Sequence, residues 1–106
     1  TMVGPGDPFG TSIVLNNNSG SAYSSIALFA VLDVKGQLFF APEFNNFSYY
    51  SMYLPPGSQT KVIVPTFSWP SGAGSLSGVY WYAGCTDSAI TQLIGAYDVQ
   101  EFGWKE

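Results

Sequence analysis

Histidine and arginine are missing from this 106-residue chain, cysteine occurs once, and charged side chains make up only 9% of it. Without histidine the usual general base for neutral pH is gone. Ser–His and Cys–His nucleophile pairs are excluded outright. The three cations, Lys35, Lys61 and Lys105, are scattered, so no basic patch exists to follow a nucleic-acid backbone or an anionic membrane surface. The lone Cys85 rules out an internal disulfide, and with no histidine beside it the usual zinc ligand sets are missing too. No run reaches the roughly 20 apolar residues of a helical membrane span, and 26–32 is only strand-sized. No secretory leader is visible and the chain starts at Thr1, which reads as a processed or excised piece of a larger precursor.

What is present is apolar and aromatic. Hydrophobic residues reach 46% and aromatics 17%, a content that forces folding where a disordered chain would be charged and aromatic-poor. An ordinary domain carries roughly 25% charged residues. A chain with so few must clothe its surface in Ser, Thr, Asn, Gly and Tyr. The length suits one domain and leaves no room for two. Residues 1–10 hold Gly4-Pro5-Gly6 and Asp7-Pro8 and read as a lead-in or linker, with 11–106 as a single β-sandwich domain.

Short apolar runs separated by Gly and Pro predict strands at 12–16, 25–34, 37–41, 49–54, 60–64, 79–85 and 98–104. Gly36 closes the turn after Asp33, and Pro55-Pro56-Gly57 ends another strand. One segment departs from this pattern. Asp87 stands as an N-cap, Ala89, Ile90, Leu93 and Ile94 follow at helical spacing, and Gly95 is a stop, predicting a short helical turn near 87–95. About seven short strands at this spacing predict an all-β chain, an immunoglobulin-like β-sandwich.

Two stretches carry a resemblance. Residues 25–42 hold the hairpin Val31-Leu32-Asp33-Val34-Lys35-Gly36-Gln37-Leu38-Phe39-Phe40, and 67–104 hold Phe67-Ser68-Trp69-Pro70, a Gly/Ser loop, then Gly78, Tyr80, Ala83, Thr86 and Asp87 and a closing acidic-aromatic strand. Over about half its length the chain thus resembles an immunoglobulin-like module of large exported bacterial surface proteins. The resemblance implies export and a non-catalytic role, and it brings no catalytic residues with it.

The acids are the remaining place to look for chemistry. A glycosidase needs two carboxylates across a groove, and Asp33, Glu43, Asp87, Asp98 and Glu101 are available. Each has a plain structural reading: Asp33 in a turn, Asp87 as a cap, Asp98 at a strand start. Calcium needs six to eight oxygens, and only converging loop ends such as those of Asp87 and Asp98 would bring acids together. Cys85 ends the apolar face of Val79, Trp81 and Ala83 and reads as a small buried hydrophobe. The chain is therefore expected to carry no catalytic residue, cofactor or metal.

The aromatics point to a surface. In 25–34 period two sends Ile26, Leu28, Ala30 and Leu32 one way and Ala27, Phe29 and Val31 the other, so neither face is polar. Something must cover Phe29 and Val31: the N-terminal segment, a loop or a partner. Tyr49 and Tyr53 share one strand face, Tyr80 and Tyr82 another, and Trp69 stands in a loop. These seven residues are the expected partner-binding set. The leading expectation is an extracellular or cell-surface assembly module, a fibre or surface-layer part or an appended domain. Its partners would be copies of itself or neighbouring domains, with low charge removing the repulsion that opposes association. The alternative is a carbohydrate-binding module in which the Tyr and Trp rings stack on polysaccharide, and a weaker one is a small glycan hydrolase.

Overall fold

The computed structural model of the chain describes residues 2–106. Eight strands follow in order: β1 (Met2–Val3), β2 (Pro8–Asn17), β3 (Tyr23–Val34), β4 (Gln37–Phe40), β5 (Tyr50–Leu54), β6 (Gly57–Ser68), β7 (Leu76–Asp87) and β8 (Leu93–Trp104). No helix occurs among the described residues, so none is long and apolar enough to cross a membrane. Six strands form one sheet in the order β1-β8-β7-β3, with β4 and β5 sharing the far side of β3. β5 pairs with its first half and β4 with its second, from Val31 onward. β2 and β6 form a separate antiparallel pair that packs over one side of this sheet.

Register decides the two faces, because residues directly opposite in an antiparallel pair point the same way. Leu28 opposes Cys85, Ala30 opposes Ala83 and Leu32 opposes Trp81, which fixes the inner face. Leu15, Ile26, Leu28, Leu54 and Cys85 form one buried cluster under β2, and Ala30, Ala41 and Ile63 form a second beside Trp81. Cys85 is a buried free thiol, and burial pushes its pKa up, as a small core hydrophobe would show. Asn17 is the buried polar exception. Its side-chain amide donates to the carbonyls of Ser21, Leu54 and Pro55, and its oxygen accepts from the Ser19 amide. One side chain thereby ties the β2–β3 loop to the end of β5.

Most of residues 2–10 belong to the sheets. Met2 and Val3 pair in parallel with Gly103 and Trp104, and β2 already begins at Pro8. Between them the Asp7 carboxylate accepts from the Gly4 amide at 2.9 Å, closing a tight turn of the kind Gly-Pro-Gly encodes.

The helical turn expected near 87–95 is not there. β7 runs to Asp87 and β8 restarts at Leu93, where Leu93 and Ile94 pair with Thr86 and Cys85. Asp87 behaves as a cap, accepting from the Thr91 amide at 2.7 Å, the Gln92 amide at 3.3 Å and the Thr91 hydroxyl, but it caps a hairpin loop. Ile90 sits at φ 57, left-handed, which ends any helical run. Sheet pairing and packing of Ile94 on the core outweigh the local helical spacing.

These hydrogen bonds, led by the one from the Thr91 hydroxyl, hold the Asp87 pKa below its ordinary value. A carboxylate depressed in the folded state adds stability above its unfolded pKa and loses it as pH falls through the folded one. Asp87→Asn should therefore lower the melting temperature at neutral pH, and the gap to wild type should narrow by about pH 3. Thermal unfolding of both proteins at the two pH values checks this, and a gap independent of pH would refute it.

Candidate functional site

The outer face of the six-stranded sheet, the side away from β2 and β6, gathers six of the seven expected residues. Phe29 and Val31 project there from β3, Tyr80 and Tyr82 from β7, and Tyr49 and Tyr53 from the start and end of the β5 region. Trp69 does not join them. It lies at one end of the molecule among Phe9, Phe67 and Trp104, with ring centroids 5.2–5.9 Å away. Its amide donates to the Asp7 carbonyl and its carbonyl accepts from Gly6, so Trp69 fastens the N-terminal turn.

What covers Phe29 is the chain itself. Its ring lies 5.4 Å from Tyr49, 5.9 Å from Phe47 and 6.3 Å from Phe40, an aromatic cluster built from β4 and the loop after it. Val31 is 9% exposed between its strand partners Phe40 and Tyr82. The N-terminal segment takes no part. Two of the covering rings, Phe47 at 55% and Tyr49, are themselves left open, and Tyr53 on the same face is well exposed too.

β8 extends the apolar surface. Leu93, Tyr97 and Val99 point outward, and Tyr97 is 66% exposed. A Cβ added to Gly84 would lie 3.3 Å from Tyr97 and 3.5 Å from Leu93, so both side chains lean over the bare backbone of β7. The expected helical turn ends at 95 and the expected strand begins at 98, so Tyr97 falls between them, and Val99 is given no face. Alternation through Leu93–Trp104 displays Tyr97 and Val99 on one side.

Charge on this face is sparse. Asp33 is held in the turn, accepting from the Gly36 amide at 2.8 Å and from the Tyr82 hydroxyl at 3.4 Å. Partial desolvation, then the nearby Asp33 charge, push the Tyr82 pKa up, so Tyr82 is a neutral phenol at any physiological pH. Tyr80 and Tyr82 lie side by side, 6.3 Å apart and 26° from parallel. Glu101 completes the acids here, while Asp98 opposes Ala83 on the inner face. No group of three or more metal-ligating side chains converges among the described residues.

The inner face shows a second feature. β2 meets β7 and β8 toward its two ends, through Leu15 in the cluster with Cys85 and Ile94 and through the Phe9 ring at 5.0 Å from Phe102. Between them a groove of about 570 Å³ runs along the unpaired edge of β2. Trp81 faces inward as its strand phase requires, yet it is only half-buried because it floors this groove. Its indole N–H is buried and has no partner. Comparison with protein-family models, with curated proteins and with solved structures finds no match, so these two surfaces carry the functional reading.

Proposed function

We propose that the chain is a non-catalytic assembly module of an exported or cell-surface protein, associating through the outer face of its large sheet with copies of itself or with neighbouring domains. The observation that carries this reading is a continuous aromatic and aliphatic surface, from Phe47 and Tyr53 to Tyr97 and Val99, left open to solvent. Monomeric domains seldom keep a contiguous patch of this kind. Tyr and Phe are the residues that protein interfaces enrich, and charge is what their centres shed. The absence of histidine and the separation of Asp98 and Glu101 on opposite faces favour a binding role over hydrolysis. Mostly antiparallel strands in two packed layers support the immunoglobulin-like assignment, in a division of six strands against two.

Sedimentation across concentration tests the reading. Wild type should associate, and Tyr97→Lys and Phe47→Lys should dissociate it with little change in thermal stability, because both side chains are more than half exposed. A wild type that stays monomeric throughout would refute self-association. One observation favours the alternative, a polysaccharide ligand: Tyr80 and Tyr82 set two neighbouring aromatic rings on this face, 6.3 Å apart. A monomer that binds an insoluble polysaccharide and loses binding in Tyr82→Ala would establish it.

A further inference from the structure

We propose that the groove beside β2 is an acceptor site for an extended peptide strand, supplied by another polypeptide, which adds to the free edge of β2 as the third strand of the small sheet. This is a different surface from the outer face and does not depend on it.

The form of the occupant follows from what lines the groove. Six consecutive residues of β2, from Phe9 to Val14, border it. An edge strand points alternate N–H and C=O groups away from its one partner, and β2 stands at the rim of this opening. β2 has a partner on its other side alone, since the small sheet is β2 and β6 only. Another extended chain is the partner that satisfies a row of such groups at strand spacing. Register shifts between Phe9 and Ser12 interrupt the edge, so regular pairing starts at Ser12, and the bordering stretch from Ser12 to Val14 spans roughly 10 Å.

The floor and rim define the side chains that fit. Ala83 and the half-buried Trp81 ring give a shallow apolar floor, which suits medium aliphatic residues at alternate positions of the added strand. Asp98 stands on the β8 side of the inner face and no Lys lines the groove. The occupant is therefore an alternating apolar strand that carries a cation toward β8. A folded second copy cannot supply it with its own β2, because the inner residues of that strand, Ile13 and Leu15, are already packed in its own core.

The probe is a phage-displayed library of random dodecapeptides selected on the intact protein, followed by synthesis of the enriched peptides. The proposal expects alternating apolar residues with a Lys or Arg, and new hydrogen-exchange protection at the amides of residues 12–14 on binding. Asp98→Lys should weaken cationic peptides by about tenfold or more. Ala83→Leu, which fills the floor at a half-buried position, should abolish binding while the melting transition stays cooperative. Tyr97→Lys should bind as wild type does, which keeps this result separate from the outer-face reading. Enriched peptides without alternation would overturn the proposal, as would unchanged binding to Ala83→Leu. Protection confined to strands other than β2 would overturn it too. So would β2 amides already protected in a concentration-dependent way without peptide, which would make a second copy the occupant.

Discussion

Truncating Leu28 to Ala should cost about 3–5 kcal/mol, the largest loss expected from any conservative change in this chain. Leu28 is 0% exposed and sits where β3 meets β5 and β7 beneath β2. Its neighbours Leu15, Ile26, Leu54 and Cys85 come from strands fixed by their own hydrogen bonds, so they cannot close around the space. The lost transfer energy and the cavity term therefore both apply. Against a total of roughly 5–15 kcal/mol for a domain, this is a large share. The matched control is Val14→Ala, an aliphatic strand residue that is mostly exposed and should cost under about 0.5 kcal/mol. Urea unfolding of the two variants measures the contrast. A Leu28→Ala loss below about 1 kcal/mol would mean that the inner face of β3 has been misplaced.

Adding a single methyl group should come close to that effect at Gly103. A Cβ there would lie 2.5 Å from the Leu76 carbonyl oxygen and 2.9 Å from the Ser77 Cα. Both are backbone atoms of β7 at the register shift between Leu76 and Val79, so no rotamer change relieves the clash. The Met2 sulfur, also 2.9 Å away, is flexible and would move aside. Gly103→Ala should cost about 2–3 kcal/mol, through displaced strands and not through any special backbone angle. Gly84→Ala is the comparison. Its nearest neighbour is a side-chain carbon at 3.3 Å, and the gain in chain stiffness offsets the mild crowding. Equal denaturation midpoints for Gly103→Ala and wild type would show that β7 and β8 are looser there than the structure has them.

Strand phase was legible wherever apolar residues alternate or fill a run. β3 could be placed, and the inward set of Ile26, Leu28 and Ala30 with it, because a run apolar on both sides has one register that buries the larger set. The inward phase of Trp81 was legible as well, but its half-exposure was not. That depends on how far β2 and β6 reach across the large sheet, a tertiary fact with no local signal. The stretch after Asp87 misled because capping chemistry is the same for a helix and for a tight loop. With 87–95 read as helical, the early part of β8 and the outward Tyr97 went unseen. The cover over Phe29 was hidden for another reason. Phe40 and Phe47 reach it through a loop whose path, past the cis peptide at Ala41-Pro42, no spacing rule predicts.

The pairing of Met2–Val3 with Gly103–Trp104 has a consequence for the order in which the molecule can come together. Only β3–β4 and β7–β8 are neighbours joined by short turns, and these can form early. β2 waits for β6, whose Ser68 is the partner of Pro8, and β1 waits for the last strand of all. Such distant partners make closure slow, since loop entropy is spent before contacts repay it. A chain emerging from the ribosome therefore carries the inner apolar face of β3 bare until residues far downstream have been made, whereas Phe40, Phe47 and Tyr49 follow soon enough to cover Phe29. During that interval its protection must come from the surroundings and not from its own fold.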